Sequence, residues 1–158
     1  MKSLCALLVA IMPALAMALP AEDHWGADPD SPFAKELAEA TALIEAEHYK
    51  EALPLLEQLA EQARGNADVF NLLGFAYRKT GDLENSAPAY ERALFLDPDH
   101  VGALEYQGEL FLTLDNIEGA EANLEKLMRA CAWPCEEAEE LTAAIAAWRA
   151  VNTSSPQN

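Results

Sequence analysis

Along most of the chain, apolar residues recur at three- and four-residue spacings in short runs separated by polar breaks. That spacing places them on one face of a 3.6-residue helix, so the pattern predicts helix after helix. Shifting the sequence against itself by 34 residues brings the runs into phase over 33–66, 67–100 and 101–134, each unit reading as two helices joined by a tight break. In 67–100 the first helix carries Phe70, Leu73, Gly74 and Tyr77, the second carries Ser86, Tyr90 and Ala93, and Pro98 closes the unit. Gly81-Asp82 supplies the break, Gly81 as a left-handed helix stop and Asp82 as the next N-cap. The unit 101–134 repeats the pattern with Leu104, Gly108, Phe111, Ala120, Leu124 and Leu127 around an Asp115-Asn116 break, but Gln107 stands where Leu73 stood.

The unit 33–66 keeps Ala40, Leu43, Ala52, Leu56 and Leu59 around Glu47-His48-Tyr49, with Glu36 and Glu39 at positions that are apolar downstream. A weakened first helix suits a terminal unit, whose outer side meets water. Pro54 and Pro88 share one register position early in a second helix, and loss of a backbone donor there predicts helices that start late or through a tight irregular turn. In 135–151, Ala138, Leu141, Ile145 and Trp148 line one face with glutamates on the other, the pattern of a capping helix. The polar tail 152–158 reads as disordered, and 19–32 as an acidic, proline-punctuated linker.

Large residues at positions 4, 11 and 24 and small ones at 8, 20 and 27 of a 34-residue window make 33–134 resemble the tetratricopeptide repeat family. The resemblance implies an all-α, right-handed α-solenoid of about three helical hairpins plus the cap, acting without catalysis by holding a peptide or protein segment in a concave groove lined by first helices. The positions from which the family's ligand contacts commonly come fall here on Asp68, Asn71, Leu72, Phe75, Arg78 and Lys79, and on Gly102, Glu105, Tyr106, Glu109, Leu112 and Thr113. The expected groove has Phe75, Tyr106 and Leu112 as an apolar floor, with Arg78 and Lys79 at one side and Glu105 and Glu109 at the other. The same apolar residues read equally well as packing between stacked helices.

Residues 1–18 put Lys2 before an apolar run from Leu4 to Leu15 and end in Ala16-Met17-Ala18, the form of a secretory signal peptide. An exported, periplasmic protein without a membrane anchor is therefore expected. Removing that segment takes away Lys2 and leaves nine basic against 27 acidic residues, a formal charge of −18. Such a surface repels phosphate backbones and excludes a nucleic-acid partner.

Candidate chemistry is sparse. His24, His48 and His100 lie in the linker or at unit junctions, no serine sits in a nucleophile elbow, and the glycines occupy packing or turn positions, so neither an active site nor a cofactor is expected. The glutamates read as solvated helix faces. Three readings attach to Cys131 and Cys135, the pair left once Cys5 goes with the signal. A disulfide would staple the last hairpin to the cap in an oxidising compartment, with Pro134 at the first position of the new helix. Met128, Cys131 and Cys135 are soft sulfur ligands at spacings that suit copper(I). A redox pair would need a low-pKa thiol, which the C-x-x-x-C spacing and adjacent glutamates disfavour.

Overall fold

The computed structural model describes residues 28–132 and 134–152. They form α1 (Pro32–Glu45), α2 (Tyr49–Gln62), α3 (Ala67–Thr80), α4 (Leu83–Leu96), α5 (Val101–Thr113), α6 (Ile117–Ala130) and α7 (Glu136–Asn152), with no strand among the described residues. The signal segment 1–18, the linker up to residue 27, Trp133 and the tail from 153 lie outside the described residues.

The three hairpin turns are one turn repeated. Each holds a single residue in the left-handed region, Glu47 (φ 60°), Gly81 (φ 85°) and Asp115 (φ 57°), and these positions are 34 residues apart. In each, the next residue's N–H reaches back across the helix end: His48 to Leu43 O at 2.8 Å, Asp82 to Tyr77 O at 2.9 Å and Asn116 to Phe111 O at 2.8 Å. This is the six-to-one bond of a Schellman stop. The following helices are capped by side chains that accept backbone N–H groups, Asp82 from Asn85 and Asn116 from Gly119. A β-carbon in the left-handed region costs about 1–2 kcal/mol. Glu47→Gly is therefore expected to raise stability by about 0.5–1 kcal/mol, read as a higher urea midpoint, since the exposed Glu47 side chain contributes no packing to lose.

The prolines behave differently from the expectation. Neither helix starts late: Pro54 and Pro88 are the sixth residues of continuous helices α2 and α4. Both are exposed. The carbonyl left without its N–H partner one turn upstream in each helix lies near the solvent side, which removes much of the usual penalty for an interior proline.

Two apolar clusters hold the solenoid together. The first joins α1–α4 through Ala40, Ala52, Leu56, Leu59, Val69, Leu73, Ala76 and Ala89, and the second joins the third hairpin to α7 through Leu104, Ala120, Leu127, Leu141 and Ile145. Close approach depends on two glycines. A β-carbon on Gly74 would lie 2.8 Å from the Tyr90 ring, and one on Gly108 would lie 2.6 Å from Leu141 of the cap. Both hollows are filled by side chains with no exposed surface. Hydrogen bonds fix the register, Ser86 Oγ donating to Gly74 O at 2.8 Å in the second hairpin. In the third, Asn123 Nδ2 donates to Leu104 O at 3.2 Å and to Gln107 Oε1 at 2.9 Å. Gln107, out of place in the sequence pattern, is thus a buried polar group whose carbonyl is satisfied.

At the last joint Cys131 and Cys135 are bonded, with Cα atoms 6.0 Å apart. Cys131 caps the end of α6, and the Cys135 carbonyl accepts from Glu139 N at 3.1 Å, so α7 begins at Glu136. Pro134 precedes that start by two residues and is not the first helical residue. The first turn of α7 carries Glu136, Glu137 and Glu139, which complement the helix dipole.

Candidate functional site

The first helices of successive hairpins, α3 and α5, present a row of partly exposed rings. Phase in the repeat puts Phe75 on α3 one helix away from Tyr106 on α5, with ring centroids 4.7 Å apart, and Tyr49 at the start of α2 meets Phe75 edge-on at 5.8 Å. Two cations lie along the row. The Arg78 guanidinium stands 5.5 Å from the Phe75 centroid and 5.9 Å from that of Tyr106, and Lys79 Nζ lies 5.5 Å from Tyr49 and 5.6 Å from Phe75. Each is within reach of the ring quadrupoles.

The opposed walls expected from the sequence are not built. Arg78 Nη2 binds Glu109 Oε2 at 2.5 Å, so these two charges neutralise one another across the α3–α5 seam. Asn71 and Leu112 are buried, Leu112 as part of the second core cluster. Of the seven expected groove residues, Lys79 is exposed, Phe75, Arg78 and Glu109 are partly exposed, and Asn71, Glu105 and Leu112 are buried.

Glu105 departs furthest from a solvated face. It is 3% exposed in the seam between α5 and α7. Burial first, then a hydrogen bond with Glu140 and the nearby Glu109 and Glu137, pushes its carboxyl up to about 9. At neutral pH it therefore keeps its proton, since desolvation disfavours the charged form.

Two depressions lie along the row. One, of about 380 Å³, is lined by Glu47, His48, Tyr49, Lys50, Glu51, Lys79 and Thr80. The other, of about 330 Å³, is lined by Arg78, Glu109, Leu112, Thr113, Ala144 and Trp148. Sequence reasoning assigned Tyr49 to a hairpin break and so missed it as a surface ring. Trp148, expected on the inward stripe of the cap, packs against the second core cluster and also lines the second depression.

The sulfur set expected as an alternative does not form a ligand site. Cys131 and Cys135 are joined to each other, and Met128 is 65% exposed. Among the described residues no group of three or more His, Cys, Asp or Glu side chains is placed to hold a metal ion, and no described helix is long and apolar enough to cross a membrane.

A tetratricopeptide repeat family model matches residues 37–99 and 73–132. Among characterised proteins, the chain is 39% identical over 67 residues to protein FlbA of Caulobacter vibrioides, a match that takes in 42% of this chain and 11% of FlbA. The chain thus aligns with about a tenth of that relative. Among solved structures, it resembles residues 41 to the end of MamA from Desulfovibrio magneticus RS-1, at 28% identity and a TM-score of 0.60, over 63% of this chain and 56% of that one. It also resembles the Yersinia enterocolitica type III secretion chaperone SycD in complex with a peptide of the translocator YopD, with a TM-score of 0.65 over 75% of this chain and 92% of that one. At 16% identity the SycD likeness concerns the fold alone.

Proposed function

The chain belongs to the tetratricopeptide repeat family, and from that premise we propose that it is a non-enzymatic protein-interaction module whose partner lays a segment along the groove of α3, α5 and α7. One observation carries the reading. The rings of Tyr49, Phe75 and Tyr106 are partly exposed in a contiguous row and belong to neither core cluster, while the other large apolar residues of these helices are buried or pack against the two clusters. Exposed aromatic rows rimmed by charge are surfaces that proteins use for partners. SycD holds a peptide of YopD on a similar scaffold, which favours a segment rather than a folded domain as the occupant. The polar groups nearby are already committed to structure, Arg78 to Glu109 and Glu105 to Glu140, and this favours binding over chemistry.

The same reading places the protein in an oxidising compartment outside the cytoplasm, the periplasm, after removal of residues 1–18. The Cys131–Cys135 disulfide supports that location. Intact-mass measurement of the protein from a periplasmic fraction is expected to show a chain lacking eighteen residues and two hydrogens. A full-length mass in the cytoplasmic fraction would overturn it.

The groove itself is tested by placing a photo-crosslinking amino acid at Thr113, exposed beside Trp148, or at Asn85, exposed on α4. In the cells that make the protein, a discrete partner adduct is expected from position 113 and none from 85. Equal labelling from both positions would sink the groove reading.

A further inference from the structure

Trp25 is used by neither the repeat nor the aromatic row. It is the only large apolar side chain between Leu19 and Phe33, set directly after Glu22, Asp23 and His24 and followed by the small Gly26 and Ala27. Downstream of it, Ser31 N donates to Asp28 O at 3.0 Å, so residues 28–31 make a turn that reverses the chain at the start of α1. Beside this turn lies a hollow of about 650 Å³, larger than either depression of the row, which runs from Pro29 along α1 to Glu45 and reaches Asn66 and Asp68 at the start of α3. Leu37, Ala38 and Thr41 hold on α1 the repeat positions that Asn71, Leu72 and Phe75 hold on α3, so the hollow is the first rung of the groove. Phe33 and Leu37, both half-buried, are its large apolar members.

Three of its four polar side chains are already engaged. Thr41 Oγ1 donates to Leu37 O at 2.8 Å, Asn66 Oδ1 accepts from Val69 N at 3.1 Å, and Asp68 Oδ1 lies 3.0 Å from His100 Nε2. Glu45, the fourth, stands at the far end and with Asp68 repels an acidic occupant, so the hollow suits an apolar group. Distance then selects which one. Trp25 precedes Asp28 by three residues, about 10 Å of extended chain at about 3.3 Å per residue. Measured from Ser31 along α1, at about 1.5 Å per residue, the same length ends beside Leu37 and Ala38. A tether that short holds the indole at an effective concentration in about the millimolar range, which a ring on a separate chain does not match.

We propose that residues 24–27 fold back along α1 and seat the Trp25 indole on Phe33 and Leu37 beside Ala38, so that the chain's own N-terminal segment closes the α1 end of the groove. Glu22 and Asp23, next along the segment, meet Glu45 and turn out to solvent, which limits the strap to the residues around the indole. The solenoid is then covered at this end by a strap, as it is at the other by α7, and a partner segment is confined to α3, α5 and α7. The seat does not depend on the groove being the partner site.

The test is fluorine NMR of the purified, disulfide-bonded chain labelled with fluorotryptophan, the Trp25 resonance being assigned by its loss in Trp25→Phe. The expected result is a Trp25 resonance displaced from its position in the urea-unfolded chain and unchanged on about a hundredfold dilution. Ala38→Glu, at an exposed position in the hollow, is expected to return that resonance to the unfolded position while the Trp148 resonance stays where it is, which shows the fold intact. Displacement that disappears on dilution would assign the seat to a second copy and overturn the strap. A Trp25 resonance at its unfolded position in the parent chain would overturn the proposal and leave the hollow to a partner segment. A displaced resonance indifferent to Ala38→Glu would overturn the seat on α1. Crosslinking from position 113 reads the other end of the groove, so the groove reading stands or falls separately.

Discussion

Glu105→Gln is expected to stabilise the protein, and to do so more at pH 8 than at pH 5. The Glu105 carboxyl is raised from its ordinary 4.5 to about 9 in the folded chain, by burial first and by its Glu140 hydrogen bond next. Above pH 4.5 the unfolded chain releases this proton while the folded chain retains it. Folding is therefore favoured most below 4.5 and loses ground as the pH rises towards 9, by up to about 1.4 kcal/mol per pH unit. Glutamine keeps the shape and donates a hydrogen bond to Glu140 without a proton to lose. Urea unfolding at several pH values should show the variant gaining on the parent by up to about 4 kcal/mol between pH 5 and pH 8. Glu139→Gln, at an exposed site on the same helix, should run parallel to the parent. Curves for Glu105→Gln that also run parallel would show that the carboxyl is ionised in the fold.

The second large effect lies where the second hairpin closes. Tyr90 has no exposed surface, and its removal as Tyr90→Ala is expected to cost about 3–5 kcal/mol, a large share of the roughly 5–15 kcal/mol that holds a small domain together. Gly74→Ala alone is expected to cost about 1–3 kcal/mol, because its β-carbon would lie 2.8 Å from a ring that has nowhere to retreat. In the Tyr90→Ala background the same change should instead gain about 0.5–1 kcal/mol, since alanine is the better helix former once the ring is gone. The reversal of sign is the readout, from denaturant unfolding of the four proteins. An equal cost for Gly74→Ala in both backgrounds would mean that the two residues do not share the contact.

These two sites differ in how readable they were. Gly74 and Tyr90 announce themselves because packing chooses residue size, and size recurs every 34 residues. The hairpin turn was readable at Gly81 because glycine tolerates a left-handed backbone, and at Glu47 only through its phase, since nothing in a glutamate signals that conformation. Glu105 was misread as part of a solvated face because a single glutamate carries no mark of burial. Its phase did carry one: Asn71 occupies the equivalent place one unit earlier and is buried too, so this position faces the next first helix whichever residue fills it. Arg78 and Leu112 are likewise one position in two units, turned towards α5 and α7 respectively, and an expected open wall thereby became an ion pair and a core contact. Repeat phase reports where a side chain points. The identity of what it meets depends on the neighbouring unit, which one unit's pattern does not contain.

The cap attaches entirely to the third hairpin. Leu141 fills the hollow over Gly108, Glu140 meets Glu105, Arg149 pairs with Glu121 and Cys135 is bonded to Cys131, while α7 packs on α5 and α6 and on no other described helix. Residues 101–152 are thus a self-contained terminator: a whole unit inserted ahead of residue 101 lengthens the superhelix and its groove by one rung, without any new solution for how the array ends.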